Sequence, residues 1–259
     1  MKNFSNKVAK FYDDKMYQLH SMEYYGGSAF HNFGFWDENT KNQREASENL
    51  FEKLLSLFPE KNGKILDVAC GMGESTKCLT KYFVPTNITA INISPRQIDT
   101  SKKRAPNIEI LKMDAANLTF EDSSFENILC IEACFNFLTR KDFLNHAFRV
   151  LKPGGSIVLS DIFVKKSYMK SECIPEENIV KNVEAYKKVY EEIGFQNIQI
   201  IDATKECWLG FHKGIKDEIK KRYSQHESTF LAKTIVLFFH NLRISSVKKY
   251  LLVHAIKPK

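Results

Sequence analysis

Short apolar runs recur along this chain at positions 65–68, 87–92, 108–111, 124–132, 149–161, 195–201 and 247–255, with helix-like spacing between several of them. The first run, Ile65, Leu66 and Val68, fits a strand covered on both faces of a sheet. Helices are expected over 4–20, where Val8, Phe11, Tyr12 and Leu19 are helically spaced, and over 43–58, 96–104 and 177–194. Ser94 and Pro95 mark the start of the helix over 96–104, because the hydroxyl can cap the first turn and proline suits its first position. Residues 205–240 read as an inserted helical cap with Trp208, Phe211, Tyr223, Phe230, Phe238 and Phe239. Strands alternating with helices predict an α/β fold.

The turn after the first strand carries the most chemistry. Gly71 and Gly73 lack Cβ atoms, so the backbone can turn sharply and lie against a ligand. Glu74, Ser75 and Thr76 then suit the unpaired N–H groups of a helix start. An open α/β sheet binds its cofactor at such a turn. A dinucleotide fingerprint needs a third glycine, and Thr76 stands there; the Gly-Lys-Ser/Thr ending of a phosphate loop is absent. Asn92 lies 21 residues beyond Gly71, about where a polar side chain can meet ribose hydroxyls.

Five segments in order resemble the class I S-adenosylmethionine (SAM) methyltransferases. They are Asp67-Val-Ala-Cys-Gly-Met-Gly73, Ile91-Asn-Ile-Ser-Pro-Arg-Gln97, Met113-Asp-Ala115, Ser124-Phe-Glu-Asn-Ile-Leu-Cys-Ile-Glu132 and Arg149-Val-Leu-Lys-Pro-Gly-Gly-Ser-Ile-Val-Leu-Ser-Asp161. The family usually has glycine where this chain has Ala69. The resemblance implies a Rossmann-like, doubly wound, seven-stranded sheet, mostly parallel with an antiparallel last strand. It implies one methyltransferase domain over 1–259: an aromatic lid at 1–60, a SAM-binding core at 61–163, a helical substrate cap at 164–245 and a final strand at 246–259. The cofactor contacts it implies are Tyr25, Trp36, Asp67, Ala69, Gly71, Gly73, Asn92, Ile93, Gln97, Asp114, Ala115 and Glu132. Asp114 is expected to accept from the adenine amino group.

The segment His31-Asn-Phe-Gly-Phe-Trp36 resembles the lid entry of natural-product O-methyltransferases of the macrolide, sugar and rifamycin type, and of tocopherol and quinone methyltransferases. The longer stretch 24–36 is rich in aromatics and has three glycines, which makes a poor regular helix and suits a loop folded over a ligand. Relatives of this kind often carry histidine at the place of Asn136, and asparagine cannot act as a base at neutral pH. Asp161 and His31 are therefore the expected bases, with Asn136 orienting a hydroxyl. The implied function is SAM-dependent methylation of a small apolar or aromatic metabolite at a hydroxyl oxygen. C-methylation of an isoprenoid or quinone-like acceptor, or a cyclase-like reaction on a SAM-binding fold, are the alternatives.

Composition narrows the partners. The chain has 259 residues, 43% of them apolar, enough for one α/β domain with an elaborated cap. No run of about 18 apolar residues predicts a membrane span, and the first residues lack the apolar core of a signal peptide. Six cysteines without a C-x-x-C pair read as reduced thiols in a cytoplasmic protein, with no metal site. The net charge of +7 is scattered over surface lysines. Neither an arginine-rich arm nor the Asn/Asp-Pro-Pro-Tyr motif of base methylation is present, so a small-molecule acceptor is expected rather than nucleic acid.

Overall fold

Helices α1 (Lys2–Met16) and α2 (Leu19–Tyr24) lead through an extended aromatic segment into α3 (Gln43–Leu55) and then into the sheet. The computed structural model describes residues 2–224 and 244–259. β1 (Ile65–Val68), α4 (Glu74–Leu79), β2 (Ile88–Asn92), α5 (Pro95–Arg104), β3 (Glu109–Lys112), β4 (Phe125–Cys130), α6 (Arg140–Val150) and β5 (Leu151–Val164) form the alternating core. A short α7 (Lys166–Met169), α8 (Val183–Ile193), β6 (Gln196–Asp202), α9 (Gly210–Ser224) and β7 (Val247–Ile256) follow.

The seven strands are ordered β3-β2-β1-β4-β5-β7-β6. β1 to β5 pair in parallel, and β7 runs antiparallel between β5 and β6, as the resemblance implies. Strand order reverses between β1 and β4, which opens a crevice beyond their carboxyl ends.

Local chemistry sets the element ends. Ser94 accepts from Gln97 N and starts α5 as expected. α3 stops at Leu55, three residues before the expected end; Pro59 follows closely and disfavours helix in the residue before it. α8 begins at Val183, later than expected, because Asn182 accepts from Ala185 N and fixes the helix start there. Gly194, at φ +110°, ends it. The expected cap over 205–240 is helical to Ser224, and Phe230, Phe238 and Phe239 lie outside the described residues.

Strand alternation divides the core into two layers. Ile65, Leu129, Val158 and Ile162 pack toward Leu50, Leu54 and Trp208. Leu66, Ile128, Ile157, Leu159 and Phe163 pack toward Phe143, Leu144, Tyr186 and Tyr190 of α6 and α8. Asp161 shares the alternation of Ile157, Leu159 and Phe163, and is fully buried. Its carboxylate meets Arg140 Nε at 2.6 Å and Nη2 at 3.0 Å, Tyr186 Oη at 2.6 Å and Ile162 N at 2.8 Å. Arg140 also donates to the carbonyls of Ile162 and Asn178. The expectation that Asp161 is a catalytic base is thereby corrected: four donors occupy its oxygens on the face that packs against α6 and α8. No described helix is long and apolar enough to cross a membrane.

Removing one member of this pair strands a buried charge. Arg140→Met is expected to cost about 3–5 kcal/mol in urea denaturation, and Arg140→Met with Asp161→Leu is expected to recover much of that loss.

Candidate active site

The turn after β1 is shaped by backbone that favours glycine. Ala69, Gly71 and Gly73 have φ of +60°, +56° and +87°. Ala69 thus occupies a left-handed conformation, which accounts for the glycine that similar sequences place there. Cys70 N donates to Ile91 O at 3.0 Å and ties the turn to β2. Asp67 secures the helix side by accepting from Ser75 Oγ at 2.9 Å and Thr76 Oγ1 at 2.6 Å. Burial raises its carboxyl to about 6, against the pull of those two hydroxyls.

Above this turn lies a cavity of about 1100 Å³, counting the open space at its mouth. Asp67, Ala69, Gly71, Asn92, Ile93, Gln97, Asp114, Ala115 and Glu132 line it, as do His31 and Asn136. The structure thus brings together eleven of the fifteen residues singled out in the sequence. Tyr25, Trp36, Gly73 and Asp161 are not among the lining residues.

Each of those exceptions has a physical reason. Tyr25 lies behind the wall, stacked on His31 at 5.0 Å and donating to Asn32 O at 3.1 Å. Trp36 packs on α9 so closely that an added Cβ would lie 2.8 Å from its ring at Gly210 and 2.5 Å from it at Gly214. Its indole N–H donates to Phe33 O at 3.0 Å. Gly73 faces α5, where an added Cβ would lie 2.8 Å from Ser101 Cα. These three stand outside the lining residues and shape the wall from behind, where the sequence led to an expectation of direct cofactor contact.

Several lining side chains are already engaged. Asn92 donates to Gln97 Oε1 at 2.8 Å and to Gly71 O at 3.3 Å, and accepts from Ile93 N. Asp114 accepts from Ala116 N at 3.0 Å and from Ser5 Oγ at 2.6 Å. Asn136 accepts from Tyr12 Oη at 2.6 Å and donates to the carbonyls of Glu172 and Cys173. His31 approaches Ser21 Oγ at 3.3 Å, and burial together with Lys15 lowers its imidazole to about 4.

The roof falls within the lid expected over 1–60, though none of its residues in α1 is among the candidate site residues. α1 covers the cavity with Phe4, Val8, Tyr12 and Met16, spaced four apart on one helical face, and with Ser5 and Ala9 beside them. Asp13 clamps it by accepting from Ser94 Oγ at 2.8 Å and Gln97 Nε2 at 2.7 Å. The helical spacing of Tyr12 was visible in the sequence, but no local motif indicated what it would cover.

Glu132 is the most strongly perturbed carboxyl on the wall. It follows β4 at φ +48°, and its N–H is bonded to Ser160 Oγ at 2.9 Å. Its Oε1 accepts from Phe33 N at 2.8 Å and from Tyr250 Oη at 2.6 Å. The side chain is half-buried because it faces the cavity, yet protein surrounds it closely enough for burial to raise the carboxyl to about 8.

The lining chemistry fits a sulfonium cofactor. Asp67, Glu74 and Asp114 are acidic, while no described lining residue is lysine or arginine. S-adenosylmethionine brings a sulfonium and an ammonium, which such a wall favours electrostatically. Among the described residues, no cluster of three or more His, Cys, Asp or Glu is arranged to hold a metal ion.

Comparison with known proteins agrees with this geometry. Residues 65–155 match the family described as "Methyltransferase domain". The chain is 26% identical over 221 residues to erythromycin 3''-O-methyltransferase of Saccharopolyspora erythraea, covering 75% of this chain and 72% of that protein. It is 30% identical over 173 residues to 27-O-demethylrifamycin SV methyltransferase of Amycolatopsis mediterranei, covering 62% and 60% respectively. The fold matches geranyl diphosphate C-methyltransferase of Streptomyces coelicolor, solved with S-adenosyl-L-homocysteine, at a TM-score of 0.71 and 13% identity. That match covers 98% of this chain and 97% of the other.

The raised carboxyl of Glu132 fixes the sign of its linkage to folding. Its folded value lies above the unfolded one, so its contribution is fully present below about pH 4 and is lost as pH rises through about 8. Glu132→Gln, measured against the native chain by urea denaturation, is expected to gain relative stability from about pH 5 to about pH 8 and to level off above it.

Proposed function

We propose that this chain, which matches a methyltransferase domain and resembles natural-product methyltransferases, transfers a methyl group from S-adenosylmethionine to a hydroxyl oxygen of a small, largely apolar or aromatic metabolite. One observation carries the reading: a raised, half-buried carboxyl, Glu132, faces a cavity whose wall includes Phe4, Phe30, Phe137, Leu138 and Ile131. Apolar walls with few polar groups suit a small organic acceptor. The oxygen-directed names of the erythromycin and rifamycin relatives support the same choice of atom.

Bound SAM supplies an electrophilic methyl group on its sulfonium. Asp67, Ala69 and Gly71 would hold the amino-acid end at the turn after β1, with Asn92, Ile93 and Gln97 along the ribose. Asp114 and Ala115 would receive the adenine, the amino group replacing the Ser5 hydroxyl now on Asp114. Glu132 takes the proton from the acceptor hydroxyl as the oxygen becomes the nucleophile. A base whose value lies near the working pH suits that transfer, and a carboxyl at about 8 meets the condition better than an imidazole at about 4. His31, uncharged at neutral pH, and Asn136, held by Tyr12, line the cavity as orienting groups. α1 closes the roof and excludes water from the line of attack.

The test is transfer of a labelled methyl group from SAM to a panel of hydroxylated aromatic and polyketide-like acceptors, with product mass and demethylated cofactor both recorded. Glu132→Gln is expected to lower kcat by about 10²–10⁴-fold while SAM affinity stays within about twofold. The native kcat/KM is expected to rise with pH toward a plateau above about 8, and the variant to lack that rise. A product methylated at carbon, or product without demethylated cofactor, would displace the hydroxyl reading.

A further inference from the structure

Asn32 lies on the cavity wall between His31 and Phe33 and is only 5% exposed. Its backbone is fixed without help from its side chain: the carbonyl accepts from Tyr25 Oη at 3.1 Å and from Gln43 Nε2 at 2.8 Å. The side-chain Oδ1 is buried and has no hydrogen-bond partner in the structure. Buried polar atoms are nearly always paired, so an amide oxygen left without a donor in a residue that lines a binding cavity points to a ligand group that donates to it. The next residue supplies the N–H that Glu132 Oε1 accepts, which sets Asn32 beside the proposed base along the lid.

The charges around it limit what that ligand can be. Three lining carboxylates already have partners: Asp67 with Ser75 and Thr76, Glu74 with Arg104 and Ala29 N, and Asp114 with Ser5 and Ala116 N. Lys15, the cation acting on His31, is paired with Glu172 at 2.7 Å. A phosphate or carboxylate on the acceptor would therefore meet acidic walls and no lining cation among the described residues.

We propose that Asn32 is a specificity-determining residue, its amide Oδ1 accepting a hydrogen bond from an acceptor hydroxyl other than the one Glu132 deprotonates, in a cavity that admits uncharged acceptors and rejects their phosphorylated or carboxylated counterparts. The assignment rests on the methyltransferase reading above and adds to it the choice among acceptors.

Phenol, toluene and phenyl phosphate test it as probes of nearly constant ring shape. Each is titrated by ligand-observed NMR into the full chain saturated with S-adenosylhomocysteine, whose own affinity is measured first. Phenol is expected to bind about tenfold more tightly than toluene, and phenyl phosphate at least tenfold more weakly than phenol. Asn32→Leu, close in size, should bring phenol and toluene within about twofold of each other while leaving S-adenosylhomocysteine affinity unchanged. Asn32→Ser, a smaller change that keeps a hydroxyl, should retain part of the preference and decides the matter if the leucine variant does not fold. Equal binding of phenol and toluene by the native chain overturns the proposal, as does no binding of phenol. Phenyl phosphate binding as tightly as phenol, or loss of cofactor affinity in both variants, overturns it too. A native chain that binds no S-adenosylhomocysteine instead removes the methyltransferase reading on which the proposal stands.

Discussion

One carboxyl group joins the parts of this molecule that have to meet for chemistry to occur. Glu132 leaves the end of β4 in a left-handed turn and accepts from the lid through Phe33 N and from the last strand through Tyr250 Oη. Phe33 also meets Trp208, Phe211 and Tyr250 edge-on, at centroid distances of 4.9, 5.0 and 6.2 Å. The lid is thus seated on β7 and α9 by rings, and on β4 by a hydrogen bond. Both bonds to Glu132 fall on one oxygen, which leaves the other to the cavity. The group that organises the wall is also the one whose charge is least well solvated there, so architecture and reactivity converge on a single side chain.

Much of the fold was legible in the sequence because its elements obey local rules. The alternation of runs and helices, the glycine turn, the Ser94 cap and the Gly194 stop all depend on residues a few positions apart. Most of the cavity wall was legible for the same reason: it is built from strand ends and the turns directly after them. What was not legible depends on pairings across long separations. Asp161 looked like a base at a strand end, but its partner Arg140 lies 21 residues earlier and Tyr186 lies 25 later. Trp36 reads as a lid aromatic, and only the two glycines of α9 show which way it turns. Asn136 stands where similar sequences often have histidine, and the phenol that holds it is 124 residues away.

The two acidic residues with the most ligand-like sequence positions ended in opposite environments. Asp161 is surrounded by a guanidinium, a phenol and a backbone N–H, so its charge is matched where it stands. Glu132 has neutral donors alone, and burial dominates. A carboxyl with a buried cation serves the framework, since changing its protonation would strand the cation. A carboxyl without one can exchange a proton at modest cost, which general base catalysis requires.

The roof helix has a further consequence, for how the strand ends are held together. α1 reaches its partners over wide gaps in the chain: 109 residues from Ser5 to Asp114, 124 from Tyr12 to Asn136 and 84 from Asp13 to Gln97. Those partners stand in the segments that follow β3, β4 and β2. One helix at the edge of the chain is therefore a strap across the ends of three strands, as well as a cover for the space between them.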